Sequence, residues 1–363
     1  MKKFLQNIAL VFFGVLFAVI VLEFVPRVMP RRFLPPVLRS TVDEIDARVH
    51  STDPYLPDSN LWYVIKPGTD FVFKHPDADF RMKTNLNFPN AGFRGGTRGG
   101  PAWGVAVGDS FTFGLGVNQE ATWIAQLAQL SGREIMNLGV PGWGPQQYTR
   151  TLEQYGLGLK PKVVFYGLFS NDVGNVTRFA RDEGHFNQFS MRQFMRARSI
   201  TFNVFRRLRR AKAAIEDVQL PEVGLSFSST NLKSRVLADR RRFAEGWPLT
   251  QQQIETAYRD SQRANAAFVL LYFPSKEEVY WEPIKEKAKS LEPLDDLIDQ
   301  LRKTATTFCR SRQFLCIDLT PVLKNRAHAG EKVYFSVDSH WNEAGNRVVA
   351  EEIYKQLHKQ KVL

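Results

Sequence analysis

Two periods alternate along this chain. Short apolar runs at 103–107, 134–138, 163–169, 267–273 and 314–319 contain almost no polar residues. Between them, at 121–130, 146–155, 250–265, 294–308 and 343–360, apolar residues recur every three or four positions. The first pattern predicts strands covered on both faces, and the second predicts amphipathic helices. Their alternation predicts an α/β fold, a three-layer α/β/α domain on a five-stranded parallel sheet. Ligands of such sheets bind beyond the carboxyl ends of the strands. Earlier runs at 61–65, 71–74 and 80–84 are β-like and are punctuated by Pro67-Gly68 and Pro76-Asp77, which predicts a small β-rich flanking segment. Gly95-Gly96 and Gly99-Gly100 mark the junction that follows it.

The amino terminus carries a third pattern. Met1-Lys2-Lys3 precedes an apolar run, and from 4 to 25 the polar members are Gln6, Asn7 and Glu23. As a helix these residues extend about 33 Å, enough to cross a hydrocarbon layer. A cleaved signal peptide needs small residues at its cleavage site. Glu23-Phe24-Val25-Pro26-Arg27 offers none, so the expectation is an uncleaved transmembrane anchor at 1–25. Residues 26–60 are rich in Pro and Arg with little periodicity and read as a stalk. The division that follows is anchor 1–25, stalk 26–60, β-rich segment 61–100 and main domain 101–363, with an insertion at 173–247.

Composition narrows the field. Of 363 residues, 44% are hydrophobic and 24% charged, an ordinary globular composition for which disorder is not the default. The formal net charge of +12 favours anionic partners. Much of it sits in the insertion, at Arg192, Arg196, Arg198, Arg206, Arg207, Arg209, Arg210 and Lys212, interleaved with Phe194, Phe202, Val204, Phe205 and Leu208. The plain reading of 192–212 is a solvated basic helix packed by its phenylalanines. The alternatives are an interfacial helix on anionic lipid and a basic wall for a polyanion. No nucleic-acid-binding motif accompanies the charge, so nucleic acid is not an expected partner. The two cysteines, Cys309 and Cys316, fit no common metal spacing and are either buried thiols or a disulfide. No metal or other cofactor is expected.

Four short blocks follow the strand candidates. Gly108-Asp109-Ser110 comes first, where glycine permits a sharp turn and the serine projects from the strand edge. Asn137-Leu138-Gly139-Val140-Pro141-Gly142 supplies a glycine whose N–H can approach a developing oxyanion closely. Phe169-Ser170-Asn171-Asp172 supplies an amide donor. Asp338-Ser339-His340-Trp341-Asn342 supplies an imidazole, a carboxylate to orient it, and Asn342 as a helix cap. Each block has a plain reading as a turn or cap. Together they hold what a serine needs to attack a carbonyl carbon. The other histidines, His50, His75, His185, His328 and His358, read as surface residues.

In this order the four blocks resemble those of the SGNH, or GDSL-like, hydrolase superfamily, over roughly residues 103–358 with the insertion excepted. The resemblance implies a flavodoxin-like sheet. It implies Ser110 as nucleophile, His340 as base and Asp338 as its orienting acid. The Ser110 N–H, the Gly142 N–H and the Asn171 amide then form the oxyanion hole. Phe111 replaces the usual leucine, Phe169 replaces the usual glycine, and Asp338 lies two residues before His340 rather than three. The two-residue spacing followed by Trp341 is similar to membrane-associated polysaccharide O-acetylation proteins. Asn90-Ala91-Gly92-Phe93-Arg94 is similar to an element ahead of the catalytic domain in anchored relatives.

The expected function is a serine esterase acting on acyl esters, acetyl above others, of a cell-envelope or extracellular glycan. The alternatives are an O-acyltransferase to an envelope polysaccharide and a non-catalytic glycan-binding or assembly protein. Arg27, Arg31, Arg32 and Arg39 follow the anchor, against Lys2, Lys3 and the terminal amine before it, which by the positive-inside rule keeps the body cytoplasmic. The resemblance to exported enzymes implies the opposite, a periplasmic or extracytoplasmic body.

Overall fold

The computed structural model describes residues 2–50, 54–73, 75, 77–95, 100–181, 195, 198–214, 217–312 and 314–363. Lys74, Pro76, Gly96, Gly99, His185, Arg192, Phe194 and Arg196 of the sequence reading lie outside them. The chain divides into two compact units: Met1–Asp53 with Asn187–Glu216, and Pro54–Phe186 with Asp217–Leu363.

The larger unit holds four strands of flanking β structure and a parallel sheet. Strands β1 (Tyr55–Asp58) and β2 (Trp62–Ile65) form one antiparallel hairpin. Strands β3 (Asp70–Phe73) and β4 (Phe80–Lys83) form another. The sheet strands are β5 (Gly104–Val107), β6 (Ile135–Asn137), β7 (Val163–Leu168), β10 (Ala267–Tyr272) and β11 (Leu315–Asp318). Their order is β11-β10-β7-β5-β6, and all four pairings are parallel. This is the flavodoxin-like order implied by the resemblance. Between β7 and β10 a further antiparallel hairpin, β8 (Asp217–Leu220) and β9 (Leu225–Ser228), lies inside the expected insertion.

Side chains of the sheet alternate between two buried cores. Ala106, Phe165, Val269 and Leu271 point into one, with Trp123, Leu323, Val349 and Ile353 from the helices covering that face. Val105, Val107, Tyr166 and Leu270 point into the other, with Tyr148, Ile254, Ala257 and Phe308. Burial on both faces explains why the strand sequences are continuous apolar runs. The helix predicted at 250–265 is the end of a longer one, Ser229–Arg263, that runs through Pro248. Gly246 lets it pass close to the chain after Asp172, since a Cβ there would lie 1.9 Å from the Val173 carbonyl oxygen. Short helices at Asp172–Arg181, Trp281–Lys287 and Thr320–His328 were not expected. Cys309 and Cys316 form a disulfide between helix Gln300–Arg312 and β11.

The smaller unit is helical. Lys2–Val28 is one helix, and Gln6–Val28 is long and apolar enough to cross a membrane. Residues 26–60, expected as a stalk, include the helix Pro36–His50, and Ile200–Ala214 is a third helix. The buried positions are Leu34, Val42, Ile45 and Ile200, with Val204 against them. Phe205 and Leu208 face outward, while Phe202 is half-buried.

Candidate active site

Because the strands are parallel and in register, Gly108, Leu138, Phe169, Phe273 and Leu319 all leave the sheet at its carboxyl rim. Ser110 opens a one-turn helix, Ser110–Phe113, directly after β5. His340 lies in the loop before the carboxyl-terminal helix Glu343–Lys359. The rim brings them together: His340 Nε2 stands 2.7 Å from Ser110 Oγ. On the far side of the ring, His340 Nδ1 stands 2.5 Å from Asp338 Oδ1. The same carboxylate oxygen accepts the His340 backbone N–H at 2.8 Å. Burial alone would raise the Asp338 carboxyl, but hydrogen bonds from the imidazole and backbone of His340 hold it down at about 2. It is therefore ionised across the working range and fixes Nδ1 as the protonated nitrogen, which leaves Nε2 free to accept from the serine.

The turn under Ser110 is tightly specified. A Cβ on Gly108 would lie 2.0 Å from Thr112 Oγ1, and one on Gly139 would lie 2.6 Å from the Phe113 nitrogen. Both glycines are therefore demanded by sterics. Asp109 caps the helix by accepting the Phe111 N–H. Its last carbonyls are met by buried side chains, as a helix end without a continuing turn requires. Trp123 Nε1 donates to Phe111 O at 3.2 Å, and Asn137 Nδ2 donates to Thr112 O at 2.9 Å. The guanidinium of Arg94 donates to the carbonyls of Phe113, Gly114 and Val117 while it lies between the rings of Phe80 and Phe113. Arg94 is fully buried, and burial lowers its pKa to about 10. The element around Arg94 that resembles one in anchored relatives thus anchors the serine turn.

The two departures at aromatic positions belong together. The Phe111 ring packs on Phe169 at 4.4 Å and on the imidazole of His340 at 4.7 Å. The larger residue in the first block fills space beside the larger residue in the third. Phe111, backed by Phe169, then floors the imidazole.

The donors expected from the second and third blocks are reached less directly. Gly142 adopts φ +83° in a turn held by the first hairpin, where Tyr63 Oη donates to Pro141 O at 2.7 Å and Trp143 Nε1 donates to Tyr63 O at 3.1 Å. Among the described residues, no hydrogen bond is made by the Ser110 or Gly142 N–H, and none joins Gly142 or Asn171 to Ser110. Asn171 is half-buried, and its Oδ1 is without a hydrogen-bond partner among the described residues. Beside it, the buried Asp172 carboxyl accepts from Tyr148 Oη at 2.6 Å and from the Phe169 N–H at 2.9 Å. Burial raises Asp109 and Asp172, and the Asp109 carboxyl pushes Asp172 up further.

Three residues of the loop's setting were missed in the sequence. His75, read as a surface residue, has a side chain only 2% exposed, with Nε2 3.6 Å from Asp338 Oδ2. Asp77 accepts the backbone N–H groups of Val337 at 3.1 Å and Asp338 at 3.0 Å. Lys276 is buried and donates to Ser336 O at 2.8 Å, Ser226 O at 3.2 Å and Asp338 O at 3.5 Å. Its ammonium also lies over the Phe227 ring. Burial lowers the lysine to about 8. The Pro76-Asp77 turn signal was visible in sequence, but no local pattern ties it to residue 338. Ser170, Val173, Arg240, Phe243, Ser275 and Leu297 line a small cleft that includes neither Ser110 nor His340 among its lining residues.

Residues 233–363 match the family model described as SGNH hydrolase-like domain, acetyltransferase AlgX. No curated protein gives a significant match. Among solved structures, a putative lipolytic protein of the G-D-S-L family from Desulfitobacterium hafniense is 17% identical with a TM-score of 0.39, covering 72% of this chain and 98% of that one. The structure described as TesA is 14% identical with a TM-score of 0.39, covering 72% of this chain and 99% of that one. An acetylxylan esterase from Geobacillus stearothermophilus, as a catalytic mutant, is 12% identical with a TM-score of 0.39, covering 71% and 95%. The match over residues 233–363 shows an SGNH hydrolase-like domain in the carboxyl-terminal third of the chain, which holds β10, β11 and the histidine loop of the parallel sheet domain.

Proposed function

We propose that this chain is a serine esterase that removes acyl groups, acetyl above others, from an envelope or extracellular glycan. The observation that carries the reading is the hydrogen-bonded chain Ser110–His340–Asp338, with 2.7 Å and 2.5 Å separations. Ser110 Oγ attacks the ester carbonyl carbon as its proton passes to His340 Nε2. Asp338 stabilises the imidazolium that results. The carbonyl oxygen becomes an oxyanion held by the N–H groups of Ser110 and Gly142 and the amide of Asn171. The C–O bond to the leaving alcohol breaks as His340 returns the proton to it. Water, deprotonated by His340, then attacks the acyl-serine and releases the carboxylic acid and Ser110.

A second reading replaces water with a sugar hydroxyl and makes the chain an O-acyltransferase. The description of the matched family model, an acetyltransferase, favours it. We assign the body to the exported side of a membrane held by helix Lys2–Val28, and the Cys309–Cys316 disulfide supports an oxidising compartment.

A fluorophosphonate probe should label Ser110 in the native protein and fail on Ser110→Ala. Turnover of an activated acetyl ester should fall to background in the same variant. Acetate released in water, against acetyl moved to an added glycan, separates the two readings. Full ester turnover by Ser110→Ala would end both, and a native serine that resists the probe would favour a binding protein.

A further inference from the structure

In the small helical unit, helix Ile200–Ala214 combines exposed apolar side chains with dense positive charge. We propose that it lies on the membrane surface at the carboxyl-terminal end of helix Lys2–Val28, against anionic phospholipid headgroups. This rests on the reading that Lys2–Val28 spans the bilayer.

Glu23 sets the depth. It lies near the end of the apolar stretch Gln6–Val28, where an unpaired carboxylate would be costly. Its Oε1 accepts the Ile200 N–H at 3.0 Å, and its Oε2 accepts the Thr201 N–H at 3.1 Å and the Ser199 hydroxyl at 3.0 Å. Arg27, one turn further on, bonds Glu23 and also donates to the Arg198 carbonyl. The anchor's carboxylate thus serves as the amino-terminal cap of the basic helix. That fixes the start of the helix where hydrocarbon gives way to headgroups.

The faces then sort by chemistry. Ile200, Asn203 and Val204 turn inward. Phe205 is 65% exposed and Leu208 59%, three residues apart and so on one side of the helix. Residues 198–214 carry six cations, Arg198, Arg206, Arg207, Arg209, Arg210 and Lys212, and no acidic residue. Arg32, also exposed, adds to them. A polyanionic glycan would match the positive charge of this segment and leave Phe205 and Leu208 in water. An anionic lipid surface accepts both, with the rings and leucine below the phosphates.

The native cysteines are joined to each other, so Leu208→Cys provides a single thiol in the full-length chain for an environment-sensitive fluorophore. The protein is placed in nanodiscs of phosphatidylcholine, with or without phosphatidylglycerol, and brominated acyl chains serve as quenchers. With phosphatidylglycerol the label should shift to the blue and be quenched. Adding Arg209→Gln should lower the bound-to-free ratio about fivefold, from the loss of one basic residue near an anionic surface. A label at Phe13→Cys should be quenched in both lipids if the anchor spans. A quenched label at 13 with a water-exposed label at 208 overturns the surface proposal and leaves the span standing. Two unquenched labels overturn both. Quenching at 208 that is equal in neutral discs, or shielding that needs an added anionic glycan, also overturns the proposal.

Discussion

The serine turn and the histidine loop meet across 2.7 Å, yet they are held in place by different means. The turn at Gly108 to Gly114 is fixed from within the core. Glycines at 108 and 139 allow the close approach, and buried donors from Arg94, Trp123 and Asn137 meet its carbonyls. The loop at Ser336 to His340 is fixed from outside by polar groups distant in sequence, the carboxylate of Asp77 and the ammonium of Lys276, and the buried His75 ring stands beside it. Steric fixation tolerates almost no change. Polar fixation can be weakened stepwise, so the two halves should fail differently when altered.

The largest effect tests the contact that both halves serve. In Asp338→Asn the neutral amide cannot stabilise the imidazolium and can donate to Nδ1, which favours the wrong tautomer. Ester turnover should fall about 10³- to 10⁴-fold with little change in KM. Stability should depend on pH in a matching way. The carboxyl has a pKa of about 2 when folded, against an ordinary 3.8. Its contribution is present above the ordinary value and is lost as pH falls through about 2. Acid unfolding of native protein and Asp338→Asn should therefore converge at low pH. A variant that kept turnover within tenfold would show that the carboxylate does not orient the base.

Gly108→Ala tests the steric half. The new Cβ would meet Thr112 Oγ1 at 2.0 Å, and the helix carrying Ser110 must move to relieve it. A loss of about 1 to 3 kcal/mol in stability is expected, together with about a 10²-fold drop in turnover from the displaced hydroxyl. Thr112→Ala, added to it, should return part of both. Thermal melts and ester kinetics on the single and double variants check this. Unchanged values in the single variant would mean the turn is more compliant than its packing indicates.

What was legible in sequence follows the same division. The five strands, the rim and the serine and histidine blocks came from local patterns: continuous apolar runs, glycine at a strand end, and a carboxylate two residues from an imidazole. All of these are short-range signals. The support for the histidine loop came from residues 62 and 261 positions away, in the contacts of Lys276 and Asp77 with Asp338. No periodicity encodes such a pairing. His75 read as a surface residue because its neighbours in sequence are polar, while its neighbours in space are Phe335 and Phe80. The helix Pro36–His50 was missed for a related reason. Its proline stands at the first position, where proline is tolerated, so the Pro- and Arg-rich composition around it masks the helix.

Lys276→Met gives an intermediate effect. Two loop carbonyls, those of Ser336 and Asp338, lose a charged donor, and the loop should loosen around His340. About a tenfold fall in kcat is expected, since the serine turn is untouched. The native enzyme should lose rate as pH rises through about 8, where the buried lysine gives up its proton. Lys276→Arg, charged throughout, should carry that decline to higher pH. Stability runs the other way. The cost of the buried charge is carried below pH 8 and eases between 8 and the ordinary 10.5. A pH–rate profile identical in the native enzyme and the Lys276→Arg variant would remove the lysine from the loop's support.

Asp77→Asn should act least. The substitution keeps an oxygen within reach of the Val337 and Asp338 N–H groups but removes its charge, so two charge-assisted bonds become neutral ones. Asp77 also carries a negative charge facing Lys276, and its loss should lower the pH at which that lysine deprotonates. The expected result is a fall of about two- to fivefold in kcat at neutral pH, with the alkaline decline beginning earlier than in the native enzyme. The shift of the decline distinguishes a role in the loop's electrostatics from a general loss of packing, which would lower kcat by the same factor at every pH. If the rate falls uniformly, Asp77 only holds the backbone of Val337 and Asp338. The coupling between the flanking β segment and the histidine loop would then be mechanical.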